Sequence, residues 1–401
     1  MIMDSVEGPL SGLVVIDLGQ IYNGPYCTFL LARAGATVVK IEPPGGENMR
    51  RRGVVGGAML PFAMLNSNKN FATLNLKTER GRDLLIAMAE RADVLLENFA
   101  PGVMERLGLG PARLMQINPR LVYAAGSGYG WSGPYRDYPA MDLTVQAMSG
   151  VMSSTGFPDG PPVKAGPALC DFFGGVHLYG AVTTALLQRE RAGRGGFVEV
   201  SMLEAVYFSL SSSLGLSFGS KGKGPARTGN RHGGLAESPY NVYPTSDGWL
   251  ALICVTEAHW QALTDAMGRT DLREDPRFAT LKTRVAHMDL VDEIVSEWTR
   301  RFSKQDLFEL LLQSRIPSAP VRDLGEVMND PHLHARGALK RVEHPALGEA
   351  VLPTGALRFG DGDPPELVPS KELGADNEAV YCGWLGLSSG ELGRLQAEGV
   401  V

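Results

Sequence analysis

Short apolar runs alternate along the first half of this chain with stretches whose apolar residues recur every three or four positions. LVVIDL (residues 13–18), ATVVKIE (residues 36–42) and VLLEN (residues 94–98) are nearly continuous apolar segments of strand length. LVYAAGSGYG (residues 121–130) runs from a fourth such segment into a Gly-rich loop. Strands of this kind are buried on both faces, as in a parallel sheet. Between them, Gly24 and Pro25 open a helix through Leu31, and LLIAMAERA (residues 84–92) carries helical spacing. Strand alternating with helix predicts an α/β fold built on a doubly wound parallel sheet.

The pattern then changes. MDLTVQAMSG (residues 141–150) reads as an amphipathic helix, STGFPDGPP (residues 153–162) as a Gly/Pro-punctuated turn, and VKAGPALC (residues 163–170) as a short apolar approach. VHLYGAVTTALLQRERAG (residues 176–193) is helical, with Arg189 and Arg191 in its last turn and Gly193 as the stop. Residues 209–229 are rich in Ser and Gly and read as a linker, closing a large domain over residues 1–208. Residues 230–318 bring the strand WLALICV (residues 249–255) and amphipathic helices at residues 291–302 and 305–313, which predicts a smaller α+β domain. A second linker at residues 319–341 leads into a C-terminal segment, residues 342–401, that returns to strand patterning.

With 401 residues, 44% of them hydrophobic, the chain has enough material for a large core in two or three domains. A net charge of −6 gives no footprint for nucleic acid or an anionic membrane, so neither is expected as a partner. No apolar run is long enough to span a bilayer and no signal peptide opens the chain, which predicts a cytoplasmic protein. Cys27, Cys170, Cys254 and Cys382 are scattered, with neither paired spacing nor His at ligand spacing. No metal site and no disulfide framework is expected.

Asp171 is the residue with the most chemistry in reach. It stands at or near a helix N-cap, where a carboxylate accepts a backbone N–H and contributes about 1 kcal/mol. A carboxylate facing free helix N–H groups stays ionised and can attack a carbonyl, and Gly174 and Gly175 would let a ligand oxygen approach the backbone as in an oxyanion site. A dinucleotide site is the rival reading, since Glu42 lies where such folds place their ribose-binding acid. The turn GQIYNGP (residues 19–25) does not carry the G-x-G-x-x-G fingerprint, and Pro25 lacks an N–H for a pyrophosphate.

Several collinear motifs resemble the class III coenzyme A transferases, the family of formyl-CoA, carnitine and related acyl-CoA transferases. They are PLSGLVVIDL (residues 9–18), GATVVKIEPPGG (residues 35–46), NKNFATLNLK (residues 68–77), ADVLLENFAPGVMERLGLG (residues 92–110) and LQAEGVV (residues 395–401). The resemblance implies a Rossmann-like large domain without a dinucleotide fingerprint, a small domain, a C-terminal segment that rejoins the large domain, and an interlocked homodimer. It implies transfer of coenzyme A from an acyl-CoA donor to a carboxylic acid acceptor, with Asp171 as nucleophile and neither metal nor redox cofactor. It places coenzyme contacts at Ile21, Tyr22, Leu74, Asn98, Phe99, Val103, Arg106 and Tyr129, and a candidate lid at Gly233 and Gly234.

Three departures bear on that expectation. Pro43 stands where many relatives carry an Arg after the acid of the second strand, which removes one phosphate contact. Arg50, Arg51 and Arg52 form the densest basic run and could meet phosphate or an acceptor carboxylate. Only Gly233 and Gly234 stand where formyl-CoA transferases have four glycines, which weakens formate and oxalate as substrates. Racemases of the same family place His before the Asp matching Asp142, and this chain has Met141, with Glu257 as the substitute base a racemase would need.

Overall fold

The computed structural model describes residues 6–51, 59–360 and 365–401. Six strands form one parallel sheet: β1 (Val14–Asp17), β2 (Thr37–Glu42), β3 (Asn70–Thr73), β4 (Val94–Glu97), β5 (Val122–Ser127) and β6 (Gly196–Ser201), in the order β3-β2-β1-β4-β5-β6. The first five strands are buried at nearly every position because each is covered on both faces. Val15, Val38, Val94 and Val122 point to the face packed by α1 (Asn23–Arg33) and by a long helix of residues 169–192. Ile16, Val39, Leu95 and Tyr123, one residue along, point to the other face, under α2 (Glu79–Ala89) and a C-terminal helix, Ser389–Ala397.

The order reverses between β1 and β4, and there the turns leaving the two strands open a crevice beyond their C-terminal ends. In an open α/β sheet this is where a ligand binds. The C-terminal segment belongs to the same unit: its last residues pack in the apolar cluster of Val380, Tyr381, Leu392 and Leu395, and Asn75 N–H donates to the Val400 carbonyl at 2.8 Å.

The chain divides into two compact units. The first holds residues 1–145, 167–206 and 328–401; the second holds residues 146–166 and 207–327. In the second, β7 (Tyr240–Pro244), β8 (Trp249–Ile253) and β9 (Ser318–Pro320) form an antiparallel sheet. Its core includes Leu250, Trp260, Leu263, Val291, Val295 and Leu307. Ser211–Gly219 is an α-helix although its composition suggested linker. None of its residues is buried within the chain, so periodic burial left no signal there. The linker placed at residues 319–341 holds two short helices, Leu324–Met328 and Pro331–Ala335.

Candidate active site

The turn that leaves β1 is held by four hydrogen bonds from three side chains. Gly19 N–H donates to Asp17 Oδ1 at 2.8 Å, and Lys40 Nζ donates to the Gly19 carbonyl at 2.8 Å. Asn98, just past β4, closes a reciprocal pair on Gln20: its Oδ1 accepts the Gln20 N–H at 2.8 Å and its Nδ2 donates to the Gln20 carbonyl at 2.9 Å. Asp17 is itself fixed by the fully buried Lys69, at 2.9 Å, and by the Thr28 hydroxyl at 2.7 Å. These bonds hold Ile21 at φ 63°, a left-handed conformation that costs a β-branched residue on the order of 1–3 kcal/mol.

Asp171 lies on the far wall of the same crevice. It is the third residue of α4 (Leu169–Ala192), which α3 (Asp142–Ser149) precedes in the chain. Helix α4 starts at Leu169 with Ala168 in the N-cap position and no side-chain cap there. Capping comes from 29 residues upstream, where Asp142 Oδ1 accepts the Cys170 N–H at 2.8 Å and the Asp171 N–H at 3.3 Å. Asp171 is therefore not the cap. The residue is 8% exposed, and its carboxylate has no hydrogen-bond or ion-pair partner among the described residues. Burial first, and the Asp142 charge second, push its pKa up to about 7, so it is not the permanently ionised group expected from its place at a helix start.

Two cavities meet at this site. One, of about 430 Å³, is lined by Asp171, Ile21, Asn23, Asn98, Tyr129 and Arg136, among others. The second, of about 360 Å³, is mostly apolar and lined by Leu18, Ile41, Leu74, Leu76, Val103 and Arg106, among others. Gln20 and Phe99 belong to both walls. Seven of the eight expected coenzyme positions thus fall on these walls. The eighth, Tyr22, stacks its ring 5.8 Å from Phe172, next to Asp171 in the chain. The Asn98 amide is committed to Gln20, which makes it a residue that positions the turn.

The oxyanion role expected for Gly174 and Gly175 meets a different geometry. Both are buried where α4 crosses α1: a Cβ on Gly174 would lie 2.2 Å from Asn23 Nδ2, and one on Gly175 2.7 Å from the Asn23 carbonyl. Neither lines either of these two cavities, and their small size serves the close approach of the two helices. Gly233 belongs to the second unit, where it borders a Ser-rich cavity of about 270 Å³, and Gly234 lies beside His232. Arg50 is held by Glu42 at 2.9 Å and lies 4.3 Å over the Phe62 ring, while Arg51 donates to Asn48 at 2.6 Å. Arg52 lies outside the described residues.

Sequence reasoning missed Asn23. It is buried, and its Nδ2 donates to the Asp171 carbonyl at 3.3 Å across 148 positions of sequence. An Asn before Gly-Pro reads locally as turn chemistry, so no local signal marks it. Asp142 stands out in the sequence only as the neighbour of Met141, although it both caps α4 and tunes Asp171. Glu257, the substitute base of the racemase alternative, is bound by Arg284 at 2.9 Å and by the Leu281 N–H at 2.8 Å. The Arg284 hydrogen bond holds its carboxyl below the usual range. Among the described residues no His, Cys, Asp and Glu cluster could hold a metal ion, and no helix is long and apolar enough to cross a membrane.

The profile of CoA-transferase family III matches residues 10–377. An acetyl-CoA:oxalate CoA-transferase from Acetobacter aceti is 38% identical over 366 residues, covering 90% of this chain and 92% of its own. A formyl-CoA:oxalate CoA-transferase from Streptomyces coelicolor is 37% identical over 407 residues, covering 98% and 99%. The crystal structure of a CAIB/BAIF family protein from Brucella suis has a TM-score of 0.81 at 31% identity, over 94% of this chain and 99% of that one.

Proposed function

The chain belongs to CoA-transferase family III, and from that premise we propose that Asp171 carries coenzyme A between acids through two covalent intermediates. The supporting observation is a buried carboxylate, without a partner among the described residues, in the wall of a cavity. Ionised, Asp171 attacks the thioester carbonyl carbon; the C–S bond breaks and the thiolate leaves with its electron pair, giving a mixed anhydride. The thiolate attacks the aspartyl carbonyl, the donor acid departs as carboxylate, and an aspartyl-CoA thioester remains. The acceptor carboxylate attacks that thioester, forming a second anhydride and freeing the thiolate. Attack of the thiolate on the acceptor's carbonyl then restores the Asp171 carboxylate and releases the new acyl-CoA. Burial serves this chemistry twice, since an unsolvated carboxylate is the better nucleophile and water would hydrolyse the anhydride.

The names of the relatives support an acceptor class. Two of them act on oxalate, which offsets the argument from the missing glycine run, and small dicarboxylic acids are the acceptors of first choice. Incubating the enzyme with an acyl-CoA and each candidate acid, then measuring thioester exchange by mass spectrometry, tests the activity. An acyl or coenzyme adduct on the Asp171 peptide tests the route, and full turnover by Asp171→Asn would sink it. A racemase needs a second base facing the α-carbon; Met141 has no titratable proton and Glu257 is committed to Arg284. A chiral 2-methylacyl-CoA incubated in deuterated water should therefore gain no α-deuterium while its thioester exchanges. The interlocked homodimer rests on family resemblance, and sedimentation showing a folded monomer at low concentration would remove it.

A further inference from the structure

Arg106 and Arg136 reach the same point of the molecule from different segments. A Cβ built on Gly102 would lie 3.1 Å from Nη1 of Arg106 and 3.8 Å from Nη2 of Arg136. Gly102 has φ +85°, so a side chain there is disfavoured by the backbone as well as by the space. Its neighbours mark where it stands, Pro101 in the wall of the Asp171 cavity and Val103 in the wall of the apolar one.

Neither guanidinium is satisfied among the described residues. Arg106 makes no side-chain hydrogen bond or ion pair among the described residues. Arg136 has Asp137 at 3.8 Å, a sequence neighbour whose side chain is 80% exposed, and its Nε is buried with no partner. Two cations drawn to one point repel unless an anion with several oxygens lies between them. The order of the cavities says which anion. Coenzyme A runs adenosine, diphosphate, pantetheine, thioester; a thioester at Asp171 puts pantetheine in that cavity and adenosine in the apolar one beyond Phe99. The diphosphate then falls at the junction beside Gly102.

We propose that Arg136 and Arg106 clamp the diphosphate of coenzyme A, with Arg136 supplying in this chain the charge that Pro43 withholds at the end of β2. The inference rests on the coenzyme A transferase reading, and its test is made independent of turnover. Binding of coenzyme A, dephospho-coenzyme A and pantetheine is measured by calorimetry on the wild-type, Arg136→Ala and Arg136→Lys proteins. Arg136→Ala should weaken coenzyme A and dephospho-coenzyme A alike, by about tenfold or more, leave pantetheine within about twofold, and Arg136→Lys should recover part of the loss. In turnover the same change should raise KM for the acyl-CoA donor far more than it lowers kcat. Equal weakening of all three ligands would show a merely structural role. Loss confined to coenzyme A would assign Arg136 to the 3′-phosphate, and a raised KM for the acid alone would assign it to the acceptor carboxylate; each overturns the clamp. Absence of thioester exchange in the wild type, with coenzyme binding intact, would instead refute the transferase route and leave the clamp standing.

Discussion

Of the helices that carry a carboxylate in the first turn, two hold it in opposite states. Glu257 opens the helix Glu257–Ala266, where the Thr256 hydroxyl takes the His259 N–H as cap and Glu257 takes the Arg284 guanidinium and the Leu281 N–H. Its pKa falls. At the start of α4 the cap is Asp142, a residue from another segment, and Asp171 is left buried beside that second negative charge. Its pKa rises to about 7. What separates the two acids here is burial, together with the lack of a partner among the described residues, not their place in the helix.

The sharpest break of this contrast is Asp171→Asn. Losing a covalent nucleophile should reduce thioester exchange by at least on the order of 1,000-fold, measured as kcat with the best donor and acceptor. The same change should stabilise the protein at alkaline pH. A carboxyl whose folded pKa lies above its unfolded value favours folding most below the unfolded pKa, and that advantage drains away as pH rises to about 7. The Asn variant should thus melt above wild type at pH 8, the gap narrowing as pH falls towards 4. An equal gap at every pH would show that the Asp171 charge is not the cause.

A second prediction reads the charge state in turnover. Attack needs the ionised acid, so kcat/KM should climb about tenfold per pH unit below an apparent pKa near 7 and then level off. Asp142→Asn keeps an oxygen to cap α4 but removes the like charge, and should move that limb to lower pH. A limb that stays put would mean that burial alone sets the shift.

Smaller effects belong to the supporting shell. Asn98→Ala removes both bonds that hold Gln20 and leaves part-buried backbone groups unpaired, at about 1–3 kcal/mol of stability or donor binding. Thermal melting and donor KM together would show how the loss divides, and no change in either would mean that the left-handed turn at Ile21 holds without it. Glu257→Gln should change exchange by less than about twofold while lowering the melting temperature, because Arg284 is buried and loses its counter-charge. The pair is worth little more than about 1 kcal/mol, since Glu257 is half exposed. A large loss of exchange in this variant would bring Glu257 back as a catalytic base.

Elements whose chemistry is local are legible in the sequence. Apolar runs mark the strands buried on both faces and so the parallel sheet, and Gly193, at φ 71°, ends α4 at the stop its position predicts. The start of α4 is not legible in the same way, because its cap is not adjacent in sequence: an unmarked Ala168 fills the N-cap position while Asp142 does the bonding. The helix Ser211–Gly219 escapes sequence reading for a related reason, having no buried face within its own chain.

The sequence by itself determined four of the six strands of the parallel sheet and their alternation with helices, and singled out Asp171 as the acid to watch; its family resemblance pointed to seven residues that the fold brings to the two cavity walls. Periodicity and collinear motifs are properties of neighbours along the chain, so they survive in one dimension. Tertiary structure alone decided that Asp171 is buried and unpaired among the described residues, that Gly174 and Gly175 serve helix packing, that Asn98 holds a turn, and that Arg106 and Arg136 meet at Gly102. Solvation, charge and steric fit act through space, and the partners that set them stand 29, 78 and 148 positions apart in the chain.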